Sequence, residues 1–155
     1  MATENDLGWA LGAVFRSYVR AANDAVAQLP GGPRGYQVLS AAVHDVPRTQ
    51  LALAQHLGVD RTVMTYLLDD LVDAGMVERQ PDPTDRRARR VVATKRGRAE
   101  LRRLERRLRL VEDAVLAPLA PGDQQTLRSL LCQVAQHARS IQPADMCQAV
   151  AELAR

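Results

Sequence analysis

The length, composition and charge of the chain exclude several classes of protein. It has 155 residues, of which 46% are apolar and 25% charged, and this balance is typical of one soluble globular domain with or without a dimerisation arm. No apolar run approaches the roughly 20 residues of a membrane span, and the acidic N-terminus lacks a signal-peptide pattern, so we expect a cytoplasmic protein without a membrane partner. The net charge of +3 is uneven, because residues 79–109 carry +9, residues 1–78 carry −4 and residues 110–155 carry −2. Such focused positive charge indicates a polyanionic partner.

The first predicted helix covers residues 4–29 and has a wide apolar face. Apolar residues recur at spacings of four and three from Leu7 to Ala25, and a second stripe runs beside them from Phe15 to Leu29. An apolar face wider than one contact requires is typically covered on two sides. We therefore expect this helix to pack on its own domain and on a neighbour, for which a partner subunit is a candidate.

Three shorter helices with clear end signals follow a Pro-Gly-Gly-Pro break. They are predicted over residues 34–43, from Thr49 to about His56, and over 61–74. Thr49 and Asp60 are suitable N-caps, and Gly58 and Gly75 are suitable left-handed residues at helix ends. The residues predicted to face inward from the third helix are Val63, Leu67, Leu68 and Leu71.

After Gly75 the pattern becomes that of a β-hairpin. Residues 76–79 and 90–94 indicate two short strands, and Pro81-Asp82-Pro83-Thr84-Asp85 between them has turn-forming chemistry. The order of helix, glycine turn, helix and hairpin with an arginine-rich tip predicts a winged helix-turn-helix. In that arrangement a helix of about 14 residues, roughly 21 Å long, fits the major groove of DNA. The expected fold class is mainly α with a small β-hairpin wing.

The remaining sequence predicts helices that fit a dimerisation arm. Helices are expected over residues 95–117, over 123–140 and from Pro143 onward, and the first has an apolar seam at spacings of three and four. The seam consists of Leu101, Leu104, Leu108, Val111 and Val115. The predicted organisation is an N-terminal dimerisation helix at 1–33, a winged helix-turn-helix domain at 34–94 and C-terminal dimerisation helices at 95–155.

Several ordered motifs carry a family resemblance. They are the stretch from Thr49 to Leu71, then Gly75-Met76-Val77-Glu78-Arg79, the wing sequence Asp82-Pro83-Thr84-Asp85-Arg86-Arg87-Ala88, and Thr94-Lys95-Arg96-Gly97. Together they resemble the MarR family of bacterial transcription regulators. The resemblance implies a homodimer that binds a pseudo-palindromic operator, more often as a repressor. It also implies that helix 61–74 enters the major groove, that the wing reaches the minor groove, and that Asp85 orients the guanidinium of Arg87.

The predicted DNA contacts lie on helix 61–74 and on the wing. That helix has only Arg61 as a basic residue, against Asp69, Asp70 and Asp73, so affinity is expected to depend on the wing more than is usual in the family. One of the first two aspartates is expected to cap the helix or to pair with a wing arginine. The predicted contacts are Arg61, Thr62, Thr65, Tyr66, Asp85, Arg86, Arg87, Arg89 and Arg90.

Two further residue sets are predicted around the junction of the arm and the winged domain. In similar proteins a ligand pocket lies there and often takes aromatic anions, which makes Trp9, Arg16 and Tyr36 candidates for binding a small effector. Ordinary core or interface packing is the alternative for these side chains. The predicted dimer interface consists of Leu7, Leu11, Val14, Leu104, Leu108, Val111, Leu131 and Val134.

The sequence does not indicate an enzyme, a metal site or a cofactor. It contains no P-loop, GxSxG, HExxH or GxGxxG motif and no paired cysteine and histidine spacing for zinc. Cys132 and Cys147 are interpreted as small buried apolar residues, with a thiol switch as the alternative. The alternative function is a winged-helix module for protein–protein interaction without specific DNA binding.

Overall fold

The computed structural model describes residues 6–45, 48–85 and 87–140 of the chain. These ranges form six helices and an antiparallel sheet with the strand order β1-β3-β2. The elements are α1 (Leu7–Val26), α2 (Gly32–His44), β1 (Arg48–Thr49), α3 (Gln50–Leu57), α4 (Arg61–Asp73), β2 (Val77–Pro81), β3 (Arg89–Ala93), α5 (Lys95–Leu116) and α6 (Pro121–Ser140). This architecture confirms the predicted fold class. Across the same ranges, no helix combines the length and the apolar character that a membrane span needs.

The ends of α3 and α4 are fixed by the predicted local signals. The Thr49 hydroxyl accepts the backbone N–H of Ala52 at 3.2 Å, and the Asp60 carboxylate accepts that of Thr62 at 2.8 Å. Gly58, which ends α3, has a φ of 61°. This left-handed conformation places no strain on glycine, so the chain can turn sharply into α4.

The sheet is a hairpin with one additional short strand. Strands β2 and β3 pair from Val77 opposite Ala93 to Pro81 opposite Arg89. Strand β1 pairs with the other edge of β3, with Thr49 opposite Arg90. The sequence did not predict β1, because two residues are too short to show an alternating pattern and Thr49 is also the cap of α3.

The core of the winged region forms where α2, α3, α4, β3 and α5 meet. Met64, Leu68 and Leu71 of α4 are fully buried, whereas Val63 is 55% exposed. The prediction that Val63 faces inward was therefore wrong. Met64 and Leu68 follow a spacing of four, and Val63 lies about 100° away from that stripe.

Helix α5 contributes to the same core, which corrects the predicted dimer seam. Leu104 is 0% exposed and belongs with Leu101 to the buried cluster that contains Leu39, while Leu108 packs partly buried against it. A spacing of three and four describes a helix packed on its own domain as well as a helix in a dimer. Leu104 is therefore not available to a partner subunit, and its predicted interface role is wrong.

Helix α1 is buried at one end and exposed at the other. It begins at Leu7 and ends at Val26, within the predicted 4–29 range. Ala25 and Val26 are buried, but Leu7, Leu11 and Val14 of the predicted dimer interface are exposed. The apolar stripe of this helix thus extends beyond the surface that its own domain covers.

The chain divides into two compact units, residues 1–115 and 116–155. Helix α6 belongs to the second unit and begins at Pro121, two residues before the predicted start. Its residues Leu131 and Val134 are exposed. The helix predicted from Pro143 lies outside the described residues. The division into an N-terminal arm, a winged domain and a C-terminal arm stays a prediction.

Candidate nucleic-acid interface

A hydrogen-bond chain joins the start of α3 to α4. The Gln50 side-chain amide donates to the Thr65 hydroxyl at 2.7 Å, and that hydroxyl donates to the backbone carbonyl of Arg61 at 3.0 Å. Thr65, a predicted base contact, is therefore half-buried and already engaged by its own protein. Gln50 was not predicted as a functional residue. The only feature of the sequence that could have drawn attention to Gln50 is its position directly after Thr49, the N-cap of α3.

The N-terminal half of α4 presents an exposed surface. Arg61 and Thr62 are exposed, and Tyr66, one turn beyond Thr62, is 69% exposed. The exposed Val63 adds an apolar group to this surface. Arginine, threonine and tyrosine can form hydrogen bonds to base edges, and an apolar side chain can contact a thymine methyl group.

The C-terminal half of α4 is acidic, and one of its carboxylates is paired. The Arg79 guanidinium donates from Nη2 to the Asp69 carboxylate at 2.6 Å. This confirms the expectation that an aspartate of α4 pairs with a wing arginine. Asp70 and Asp73 are exposed and would repel phosphates. The exposed negative charge of α4 is therefore concentrated in the second half of the helix.

The turn at the tip of the wing differs from the predicted arrangement. The Asp85 carboxylate accepts the backbone N–H of Arg87 at 2.8 Å, and the Ala88 N–H donates to the Asp85 carbonyl at 3.0 Å. Asp85 was expected to orient the Arg87 guanidinium. It instead fixes the backbone at Arg87, because a short carboxylate readily bonds to an N–H two residues ahead.

The carboxylate that organises the wing is Asp82. Its Oδ2 accepts Nε–H of Arg90 at 2.6 Å, and its Oδ1 accepts the N–H of Thr84 at 2.7 Å, the hydroxyl of Thr84 at 2.6 Å and the N–H of Asp85 at 3.2 Å. The side chain of Asp82 is only 7% exposed. The sequence indicated a turn here but gave no sign that this carboxylate would be buried.

These donors hold the pKa of the Asp82 carboxyl well below its ordinary value of 3.8. The hydroxyl of Thr84 is the largest cause, followed by the Arg90 guanidinium. Because the pKa of the folded state is lowered, the ionised carboxylate stabilises the wing at any pH above about 3.8 and loses this effect only as the pH falls below that value. Asp82 is therefore ionised throughout the physiological range.

A groove of about 440 Å³ connects α4 with the wing. Three arginines from the two elements edge it, namely Arg61, Arg87 and Arg89. The groove is lined by Thr49, Gln50, Leu51, Arg61, Asp85, Arg87, Ala88 and Arg89. Four of the predicted DNA contacts thus lie around one concave surface, while Arg86 lies outside the described residues.

Two of the three predicted effector residues, Arg16 and Tyr36, line separate cavities. Trp9 and Arg16 lie seven residues apart on α1, about 10 Å along the helix axis, and Arg16 lines a cavity with Arg20 and Asp24. Tyr36 instead lines a cavity of about 180 Å³ with Tyr18, Val26 and Leu108. The grouping of Trp9, Arg16 and Tyr36 as an effector site stays a prediction.

The prediction for the cysteines also needs a correction. Cys132 is exposed on α6, whereas it was interpreted as a buried apolar residue, and Cys147 lies outside the described residues. Among the described side chains, no group of three histidines, cysteines and carboxylates is placed to hold a metal ion.

The sequence is similar to that of known regulators. Residues 36–88, which extend from α2 to the tip of the wing, match the MarR family. A protein of Thauera aromatica named as a transcriptional regulatory protein for the hcr operon is 29% identical over 119 residues. This match covers 77% of this chain and 70% of the relative.

Solved structures extend the similarity to most of the chain. A mutant of E. coli MarR is 27% identical, with a TM-score of 0.73, over 86% of this chain and 98% of that one. The Mycobacterium tuberculosis MarR family protein Rv2887 has been solved in complex with DNA. It is 25% identical, with a TM-score of 0.69, over 84% of this chain and 98% of that one. A second structure of Rv2887 contains p-aminosalicylic acid and has a TM-score of 0.66 at 25% identity, over 84% of this chain and 98% of that one. In sequence motifs and in fold, this chain is similar to members of the MarR family.

Proposed function

We propose that this chain is a transcription regulator that binds double-stranded DNA as a homodimer in the cytoplasm and represses transcription by occupying a promoter. MarR family members are transcription regulators and not enzymes. The observation that carries the proposal is the groove edged by Arg61 of α4 and by Arg87 and Arg89 of the wing. The complex of the relative Rv2887 with DNA supports it.

In the proposed complex, α4 lies in the major groove. Its 13 residues span about 20 Å, which the groove accommodates. Arg61, Thr62 and Tyr66 would face base edges, while Arg87 and Arg89 would contact phosphates or enter the adjacent minor groove. Two copies of α4 about one helical turn apart, roughly 34–36 Å, would read a pseudo-palindromic operator.

The proposed homodimer uses the exposed apolar residues of α1. Leu7, Leu11 and Val14 face water in the single chain, although the same stripe is buried further along the helix. A row of large apolar side chains on one helix face marks an interaction surface. Leu131 and Val134 of α6 are proposed as a second part of the interface.

We expect loss of the Arg87 guanidinium to weaken binding to all DNA sequences alike. A phosphate contact releases counterions from the DNA, so Arg87→Gln should reduce the slope of log affinity against log salt concentration by about one. Tyr66→Ala should instead change the preference among operator variants, by roughly 1–3 kcal/mol per base pair. The measurement is fluorescence anisotropy over a salt series, with duplexes selected from a random-sequence pool.

The matched control for this experiment is Arg103→Gln. It also removes one guanidinium, but from an exposed pair with Glu100 on α5, and should leave the slope unchanged. A salt-independent affinity of the wild-type protein would exclude DNA as its partner and favour the protein-interaction module.

We also propose that a small aromatic acid acts as an effector at the cavity beside Tyr36. The cavity lies between α1, α2 and α5 and includes Tyr18 and Leu108, and its volume of about 180 Å³ limits the ligand to a single ring. Burial, and after it the negative charge of Glu105, raise the pKa of the Tyr36 hydroxyl, while the nearby Arg109 guanidinium acts in the opposite direction. This guanidinium would attract a carboxylate. The relative Rv2887 with p-aminosalicylic acid supports the ligand class.

The effector proposal predicts a ligand-dependent release of DNA. We expect p-aminosalicylic acid to raise the melting temperature of the free protein and to lower its DNA affinity, because a ligand that prefers one conformation shifts the equilibrium toward it. Arg109→Gln should retain DNA binding without ligand and lose the response. An unchanged melting temperature at the highest soluble concentration of the acid would refute this ligand class.

A further inference from the structure

The arginines of the wing fall into two structural groups. Arg87 and Arg89 are exposed at the groove, whereas Arg90 is half-buried and points to the opposite side of β3 from Arg89. Strand β3 is the central strand, so Arg90 lies between Thr49 of β1 and Gln80 of β2. The sequence predicted all three as DNA contacts, because spacing alone does not show which guanidinium has a partner inside the protein.

Arg90 has such a partner in Asp82. Its Nε–H donates to Oδ2 at 2.6 Å, and the pair is 29% exposed on the Arg90 side and 7% on the Asp82 side. The other oxygen of the carboxylate accepts three donors from Thr84 and Asp85. One carboxylate thus connects the turn at the wing tip to the central strand of the sheet.

This connection restrains the backbone that carries the exposed arginines. The segment between Asp82 and Ala88 is closed by a hydrogen bond from the Asp82 N–H to the Ala88 carbonyl at 3.1 Å. Arg87 lies inside this closed segment, and Arg89 follows it directly. A guanidinium whose backbone is held in place loses less conformational freedom when it binds phosphate than one on an unrestrained loop.

We propose that Asp82 and Arg90 are positioning residues of the wing, which hold Arg87 and Arg89 in the conformation that binds DNA, and that Arg90 itself makes no contact with DNA. This inference rests on the proposed DNA-binding function. It assigns to Asp82 an effect opposite to that of an ordinary acidic residue near a polyanion, because the carboxylate increases affinity through geometry although its charge repels phosphate.

The opposite signs make Asp82→Asn the decisive variant. The substitution adds one positive charge, so simple electrostatics predicts tighter DNA binding. Loss of a positioning residue predicts the reverse, a weakening of roughly threefold to tenfold, as expected when one or two side chains must be ordered on binding. The matched control is Glu100→Gln, which also releases an arginine from a carboxylate but on α5, and which should leave affinity unchanged or slightly increase it.

Arg90→Gln separates positioning from direct contact. A phosphate-binding arginine contributes about one to the salt slope, whereas a positioning residue lowers affinity at an unchanged slope. We expect Arg90→Gln to keep the wild-type slope and Arg87→Gln to reduce it. The double variant Asp82→Asn with Arg90→Gln should bind no more weakly than Asp82→Asn alone, since both changes remove the same interaction.

Hydrogen exchange at the Thr84 and Asp85 amides completes the test without DNA. Both amides donate to Asp82, so their exchange should accelerate in Asp82→Asn by more than that of the core amides of α4, which report on the stability of the whole fold. Tighter or equal DNA binding by Asp82→Asn, or a slope reduced by about one in Arg90→Gln, would overturn the inference. If the wild-type protein bound no DNA, the proposed function would fail, yet faster exchange at these two amides would still establish the role of Asp82 in holding the wing.

Discussion

Replacing Leu104 with alanine is expected to lower the free energy of unfolding by about 2–5 kcal/mol. Leu104 is fully buried in the cluster formed by α2, α4 and α5, so the truncation removes apolar contacts and leaves a cavity. Urea unfolding followed by far-ultraviolet circular dichroism measures the change. The matched control is Leu51→Ala, which removes the same atoms from a side chain that is 50% exposed and should change stability by less than about 0.5 kcal/mol.

The aspartate variant at the same position distinguishes a core role from an interface role. A carboxylate at Leu104 would be buried without a partner, and we expect Leu104→Asp to yield no folded protein. A residue of a dimer seam would behave differently, because its charged variant would dissociate the dimer and leave a folded monomer. A folded, monomeric Leu104→Asp protein would therefore restore the seam and contradict the observed packing.

The features that the sequence predicted correctly depend on interactions between near neighbours in the chain. Asp60 caps α4 because its carboxylate reaches N–H groups two and three residues ahead, and Gly58 ends α3 because the turn needs a left-handed residue. Such signals are complete within about four residues. For this reason the helix ends and the order of elements could be derived without knowledge of the fold.

The incorrect predictions depend on packing that no local pattern contains. Leu104 and Leu11 lie in stripes of the same spacing, yet the first is buried in its own chain and the second is exposed. Asp82 and Arg90 are eight residues apart and meet only because the hairpin register places Pro81 opposite Arg89. Asp85, three residues from Asp82, has the same side chain, but its carboxylate accepts the backbone N–H of Arg87 within the turn. The turn composition therefore predicted the bend and left open which carboxylate it would bury.

A charge in the exposed half of α1 is expected to separate the subunits without unfolding them. Leu11 is 48% exposed in the single chain, so Leu11→Asp places its carboxylate in water in the monomer but in an apolar contact in the proposed dimer. Sedimentation equilibrium should show a shift from dimer to monomer, with the helical circular dichroism retained. The matched control is Asn23→Asp, which adds the same charge at an exposed position on another side of α1 and should remain dimeric.

The same variant should lose most of its affinity for a complete operator. When two linked α4 helices bind two half-sites, the second contact forms at a high effective concentration, which typically increases affinity by 10²–10⁴. Leu11→Asp should therefore bind a complete operator about 10²–10⁴ times more weakly than the wild type, and its affinity for a single half-site should be unchanged because α4 and the wing are unaltered. A stable dimer in Leu11→Asp would place the subunit contact elsewhere. Equal weakening at single and paired half-sites would instead indicate that α1 acts through the fold of the winged region.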